Sequence, residues 1–259
     1  MQRLRRLWGR RSARVDERCF VVEGAKVLGE ALDAGVAVES VYLAPGAGAP
    51  ELAVAARAAD RGSRVFELAP QALERAIGTV TPQPVVAVVP FVDRALAAIG
   101  RPQLVVVCVD VRDPGNAGTV LRSAAAAGAD AVVVCDGAVD PYNPKAVRAS
   151  AGALFHVPVV VAGPPAAALA ELGALGLARL GTVARGGADY TTVDLAAPTA
   201  LVLGNEAQGL PGGLDDHLDG TVTIPMPGRA ESLNVGMTAA VLCFEAARQR
   251  RVAAGVGSG

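Results

Sequence analysis

The chain has little excess charge of either sign. Its 24 basic residues against 25 acidic leave a net charge of -1 over 259 residues, which excludes a uniformly basic nucleic-acid binder but not a locally basic one. Charged residues make up only 19% of the chain and hydrophobic ones 52%, so the signature of disorder is absent and a folded core is expected. Cysteine is scarce. Cys19, Cys108, Cys135 and Cys243 are far apart and form no CxxC pair; they suit buried, reduced thiols rather than a disulfide frame. An uninterrupted apolar span is also missing. The longest uncharged stretch, Ala149 to Ala170, holds His156 and is broken by Pro158, Gly163, Pro164 and Pro165, whereas a membrane helix needs about 20 continuous apolar residues. The N-terminal arginines precede no apolar segment, so no secretory signal is expected. A cytoplasmic protein without membrane or metal is the expectation, with His156 and His217 structural and paired with no carboxylate. No GxGxxG follows a strand pattern, which sets aside a nicotinamide dehydrogenase.

What is present begins with arginine. Arg3, Arg5, Arg6, Arg10, Arg11 and Arg14 crowd the first fourteen residues around Trp8, with no acid among them. Guanidinium forks pair with phosphates and stack on bases, so this arm either holds a nucleic-acid backbone or is a solvated tail. On the first reading, deleting Met1 to Arg14 weakens RNA binding and flattens its salt dependence.

From Cys19 to Val92, short apolar runs alternate with helical stretches, as expected of a small α/β unit of about 75 residues. Asp93 to Gln103 reads as a connection. Leu104–Val109, Ala131–Cys135, Val157–Val161, Leu180–Val183 and Leu201–Leu203 are apolar throughout, which suggests a parallel sheet covered on both faces. A final helix is expected over about Val235 to Arg250.

Ligand sites in such sheets form beyond the carboxyl ends of strands, and three strand-end loops are polar and glycine-rich. The first is Asp110-Val-Arg-Asp-Pro-Gly-Asn-Ala-Gly-Thr-Val-Leu-Arg122, in which Asn116 reads as an N-cap and Arg122 as a residue of the second helical turn, either on the surface or facing a phosphate or hydroxyl. The second, Leu203-Gly-Asn-Glu-Ala-Gln-Gly-Leu210, places glycines around Asn205 and Glu206 where backbone approaches a ligand closely. The third, Ile224-Pro-Met-Pro-Gly-Arg-Ala-Glu-Ser-Leu-Asn-Val235, offers Ser232 and Asn234 either as caps of the last helix or as polar groups of a lined pocket.

In order and spacing these loops resemble motifs 1, 2 and 3 of the SpoU-type (TrmH-type) RNA ribose methyltransferases of the SPOUT superfamily. The resemblance covers about residues 104 to 250. The region Phe20-Val-Val-Glu-Gly24 to Val89 is similar to the substrate-binding domain, related to ribosomal protein L30e, that precedes the catalytic domain in many members. The resemblance implies two domains: residues 1–95, L30e-like and RNA-binding with the basic arm, and residues 96–259, a SPOUT α/β domain with a mostly parallel sheet and a C-terminal trefoil knot. It implies S-adenosylmethionine as cofactor, a homodimer, and RNA as partner, with 23S ribosomal RNA favoured by the leading domain. The alternatives are a transfer RNA 2'-O-methyltransferase and a non-catalytic RNA-binding or assembly protein. Gly204, Asn205, Gly209, Ile224, Met226 and Leu233 become cofactor positions by this carry-over, with Thr182 added from an earlier strand end. Asn116, Arg122, Glu206, Ser232 and Asn234 become the catalytic set. Two departures remove no functional side chain: Ala207 stands where glycine is common, and Gly236-Met237 where small polar residues are.

Methyl transfer to a ribose 2'-OH is an in-line displacement that needs a positioned oxygen and a destination for its proton, and no metal. Asn116 is assigned to positioning and Glu206 to shaping motif 2. Family proposals make the motif 1 arginine, here Arg122, the activating group. A guanidinium is a poor base in isolation, so stabilising the developing alkoxide or clamping the adjacent phosphate suits Arg122 equally. Only RNA offers the 2'-OH.

Overall fold

The computed structural model describes residues 1–77, 82–205 and 207–255. In chain order the elements are α1 (Gln2–Gly9), α2 (Arg11–Glu17), β1 (Cys19–Glu23), α3 (Ala25–Asp33), β2 (Ser40–Leu43), α4 (Ala49–Asp60), β3 (Arg64–Glu67), α5 (Ala72–Ile77) and β4 (Val85–Pro90). They continue as β5 (Leu104–Cys108), α6 (Pro114–Ala126), β6 (Ala131–Val134), α7 (Pro144–Ser150), β7 (Val159–Val161), α8 (Pro165–Ala174), β8 (Ala178–Thr182), β9 (Ala188–Asp189), β10 (Thr199–Leu203), β11 (Gly220–Thr223) and α9 (Val235–Ala253). Two compact units result: Met1–Val92 with Asp140–His156, and Asp93–Val139 with Val157–Gly259.

The first unit is built on a four-stranded sheet of order β1-β4-β2-β3. Strand β4 runs antiparallel to β1 and β2, while β2 and β3 are parallel. The basic N-terminal stretch is neither a solvated tail nor a free arm. Leu4 and Leu7, one helical turn apart on α1, are buried with Cys19, Val21, Leu73, Ile77, Val86 and Val88, because a helix sets i and i+3 side chains on one face. Arg14 is itself buried: its Nε and Nη2 donate to Asp140 Oδ2 at 2.9 and 2.6 Å, and Nη1 donates to the Leu7 carbonyl at 2.9 Å. Arg3 pairs with Glu17 and Glu39, and Arg6 with Glu17.

A contiguous division at residue 95 leaves out Asp140–His156, and side-chain chemistry explains why. The Tyr142 ring stacks on Phe91 at 3.9 Å and lies 4.8 Å from Phe20, and its hydroxyl accepts the Val92 N–H at 3.0 Å. Asp140 takes Arg14, Arg148 pairs with buried Glu23, and His156 Nε2 lies 2.7 Å from Glu30 Oε2. His156 therefore does face a carboxylate, contrary to expectation.

The second unit carries a seven-stranded sheet of order β7-β6-β5-β10-β8-β11-β9, with each adjoining pair parallel. Strands β5, β6 and β10 are buried along their whole length, as expected when both faces are covered. Alternate residues, Val105, Val107, Val133, Ala200 and Val202, pack with Leu169 and Leu172 of α8; α6 and α9 contact each other and cover β5 and β10 on the second unit's other face. Strand β11 alternates, with Val222 buried between half-buried neighbours, and so escapes a search for continuous apolar runs. Among the described residues no helix is long and apolar enough to cross a membrane.

Candidate active site

The parallel arrangement sends the chain out of β8, β10 and β11, neighbours in the sheet, at the same end, and the loops that follow line one cavity of about 360 Å³. All seven expected cofactor positions, Thr182, Gly204, Asn205, Gly209, Ile224, Met226 and Leu233, lie on its wall.

The loop after β10 is closed by backbone. Asn205 N–H donates to the Gly209 carbonyl at 2.7 Å and Gly209 N–H returns to Asn205 at 2.9 Å. Asn205 Oδ1 accepts the amides of Ala207 and Gln208 at 2.9 and 3.2 Å, so this side chain holds the loop in an Asx-type turn. Gly209 has φ +71°, and a Cβ on Gly204 would meet the Gly209 carbonyl oxygen at 2.3 Å; only glycine lets the two strands of the loop approach this closely. Thr182 contributes surface rather than a free hydroxyl, since its Oγ1 donates to the Val202 carbonyl at 3.0 Å. Glu206 lies outside the described residues.

The first loop corrects two expectations. Asp113, not Asn116, caps α6, its Oδ1 accepting the Asn116 N–H at 2.8 Å with Pro114 at the first helical position. Arg122, the ninth residue of the helix, lies in its third turn and is exposed. Asn116 is thereby released for another task. Asn234 caps α9, its Oδ1 accepting the Gly236 and Met237 amides at 2.9 and 3.4 Å, while its Nδ2 donates to Asn116 Oδ1 at 2.8 Å. One side chain is thus both cap and polar partner. Gly236 makes this approach possible, because a Cβ there would meet Thr119 Cβ at 2.8 Å.

Of the expected catalytic set, Ser232 lines the cavity and the bonded pair Asn116–Asn234 adjoins it through Leu233 and Val235. Arg122 does not line it. Six residues along a helix rotate by roughly 240°, so Arg122 faces away from the line of Asn116. Sequence reasoning missed Arg185 and Glu231, the charged residues on the cavity wall among the described residues, and Thr238 and Leu242 of α9. The last two fall at the i+4 spacing of one helix face, a signal that was available; Arg185 follows no motif.

The donor set suits an amphipathic ligand. Ile224, Leu233, Val235 and Leu242 give apolar wall, the loop residues Gly204, Asn205, Ala207 and Gly209 give polar edge, and Arg185 and Glu231 give a charge of each sign.

Residues 103–244 match the model of the SpoU rRNA methylase family, and residues 1–87 match that of an MRM3-like substrate-binding domain. The chain belongs to the SpoU rRNA methylase family. It is 33% identical to the 23S rRNA (guanosine(2553)-2'-O)-methyltransferase RlmP of Bacillus subtilis, over 87% of each chain. It is 43% identical to the 23S rRNA (guanosine-2'-O-)-methyltransferase RlmB of Xanthomonas axonopodis pv. citri over 60% of this chain, a match that spans about three fifths (61%) of that relative's length. An AdoMet-bound rRNA methyltransferase from Sinorhizobium meliloti superposes with TM-score 0.84 at 31% identity, covering 95% of this chain and 93% of that one. The mostly parallel α/β fold expected from the sequence is shared with that rRNA methyltransferase structure.

Proposed function

We propose that this protein transfers a methyl group from S-adenosylmethionine to a ribose 2'-hydroxyl of RNA, and that the RNA is 23S ribosomal RNA. The observation that carries the reading is the convergence of the loops after β8, β10 and β11 on one cavity, with the Asn116–Asn234 pair beside it. The cofactor, when bound, supplies an electrophilic methyl on a sulfonium, chemistry that requires no metal. Gly204, Gly209, Ile224, Met226, Leu233 and Thr182 hold it, chiefly by backbone and apolar wall. Ser232 and the Asn116–Asn234 pair orient the acceptor ribose, since placing the oxygen near the methyl supplies much of the acceleration. Glu206 shapes the motif 2 loop.

Arg122 faces away from the cavity of its own chain, which supports a homodimer in which each Arg122 serves the partner's acceptor site as an electrostatic stabiliser of the developing alkoxide. An apolar face on α9 supports the same assembly: Met237 and Phe244, seven residues apart, are 59% and 52% exposed. The order of the sheet, with β10 inside and β11 between β8 and β9, is compatible with a trefoil-knotted C-terminal part. Four cysteines that are buried and free of disulfides are in keeping with a cytoplasmic site of action.

On the first unit, Arg5, Arg10 and Arg11 are exposed and, among the described residues, form no ion pair. They supply phosphate contacts; Arg3, Arg6 and Arg14 hold the fold. The test is transfer of labelled methyl from S-adenosylmethionine to protein-free total RNA, followed by fractionation and nucleoside digestion. A 2'-O-methylated nucleoside in large-subunit RNA is expected. Label in transfer RNA overturns the substrate, and cofactor binding without label on any RNA overturns turnover on protein-free RNA.

A further inference from the structure

We propose that Arg112 is an RNA-phosphate-binding residue of the acceptor site, aimed by the buried carboxylate of Asp110. This rests on the RNA reading above and adds a residue outside the expected catalytic and cofactor sets.

Asp110 stands just past the end of β5, where the strand opens into the first loop. Its side chain is 9% exposed and that of Arg112 64%, and Arg112 Nε donates to Asp110 Oδ1 at 2.7 Å. Taking a carboxylate out of water is costly, and a partner that is itself mostly solvated returns little of that cost. The pair is therefore a poor device for stability. It is a good device for direction. The bond consumes the Nε–H of a guanidinium whose side chain is mostly exposed, and leaves both terminal nitrogens unbonded among the described residues. Those two nitrogens have the fork spacing that matches two phosphate oxygens.

The surroundings place this fork at the acceptor site. Asn205 Nδ2 reaches the Asp110 carbonyl at 3.5 Å, tying the residue to the loop that lines the cavity. Four residues after Arg112 comes Asn116, bonded to Asn234. The nearest acid in sequence, Asp113, has turned its carboxylate onto the Asn116 N–H and so is engaged with α6. The opposing side is small: Gly137, whose absent Cβ would lie 3.8 Å from Asp110 Oδ1. An RNA strand whose ribose lies against Asn116 and Ser232 thus has a phosphate within the same loop's reach. With Arg112 on the phosphate, Arg122 remains for the hydroxyl.

The test is filter binding of a full-length 23S ribosomal RNA transcript across a salt series, with methyl-transfer kinetics on the same transcript and calorimetry for S-adenosylmethionine. For Arg112→Ala, we expect RNA affinity to fall about tenfold. The slope of log affinity against log salt is expected to fall by about 0.7–0.9, the value of one phosphate contact. KM for RNA rises with it, kcat stays within twofold and cofactor affinity is unchanged. Asp110→Asn, a positioning variant, weakens RNA binding in the same direction, and it adds nothing in the Arg112→Ala background. An Arg112→Ala protein with unaltered affinity and slope overturns the proposal, leaving a surface ion pair. An additive double variant overturns the positioning role of Asp110. A wild-type protein that binds the transcript without methylating it defeats the proposed activity instead, while the paired slopes still decide Arg112.

Discussion

The two units use charge in opposite ways. In the first, ion pairs join separate segments of the chain: Arg14 to Asp140, Glu23 to Arg148, Arg3 to Glu17 and Glu39. In the second, the sheet interior is valine, leucine and alanine, and the polar groups are gathered at strand ends, where Asn116, Asn205, Asn234 and Asp110 bond to one another or to nearby backbone. The first pattern specifies which segments meet. The second leaves the fold to apolar burial and frees polar side chains for ligand and substrate. Arginine count alone therefore misleads: half of the N-terminal cluster is structural.

The comparison breaks most readily at the buried pair. Asp140→Ala leaves Arg14, 4% exposed, with an uncompensated charge, and such losses cost about 3–5 kcal/mol. Chemical denaturation is expected to show the first unit unfolding early while calorimetry at low denaturant still shows cofactor binding. A neutral Asp140→Ala would mean that charge in the first unit is decorative. Removing Met1 to Arg14 would be no clean test of RNA binding, since it also strips Leu4 and Leu7 from the core.

On the second unit, Gly204→Ala puts a methyl 2.3 Å from a backbone oxygen. Overpacking of this kind costs about 1–3 kcal/mol, and because the strain falls in the cavity wall it is expected to appear as a 10- to 100-fold weaker S-adenosylmethionine affinity, read by calorimetry. Asn234→Asp separates the two duties of one residue: it keeps the acceptor that caps α9 but loses the donor to Asn116. Melting is expected to change by less than ~0.5 kcal/mol, since the cap survives, while methyl transfer falls about tenfold, roughly the worth of one hydrogen bond. Equal loss of both would show that Asn234 is only a cap.

Exchanging Arg5, Arg10 and Arg11 together for glutamine sharpens the division within the N-terminal cluster. If each meets one phosphate, the salt slope of RNA binding falls by about 2–3 with melting unchanged; an unaltered slope would leave these residues as ordinary surface charge.

How much of this could be read from the residues differs between the units as well. Strands β5, β6, β7, β8 and β10 of the second unit were legible as apolar runs, whereas β9 and β11 were not; its loops were legible because glycine and asparagine cluster where the strands end. The boundary of α6 was displaced because both Asp113 and Asn116 can cap, and only Pro114 at the first helical position decides between them. Helices α1 and α2 were hidden by arginine, although Leu4, Leu7 and Trp8 already carried i, i+3, i+4 spacing. No local pattern announces the packing of Asp140–His156 on the first unit, which depends on partners over a hundred residues away. The Asn116–Asn234 bond is invisible for the same reason.

The smallest expected effect concerns pH. Burial pushes the thiols of Cys135 and Cys243 up to about 12, so neither titrates near neutrality. Glu39 is shifted the other way: the Arg3 guanidinium bonded to it, with Arg64 beside it, holds its carboxyl below the ordinary glutamate value against the opposing effect of burial. A carboxyl lowered in the folded state contributes stability above its unfolded value, near 4.3, and loses it as pH falls through the folded value. The Glu39 side chain is 31% exposed and Arg3 37%, so solvent screening keeps the contribution at or below about 1 kcal/mol. Glu39→Gln should therefore lower the melting temperature slightly at pH 7 and flatten the decline of stability below about pH 4. Arg179 and Asp219 of the second unit offer the comparison: Arg179 likewise lowers the Asp219 carboxyl, across a pair of similar exposure, 20% and 43%, so Asp219→Asn is expected to flatten the acid limb by a similar amount. A clearly smaller effect of Asp219→Asn would mean that the first unit draws more on its surface ion pairs than the second.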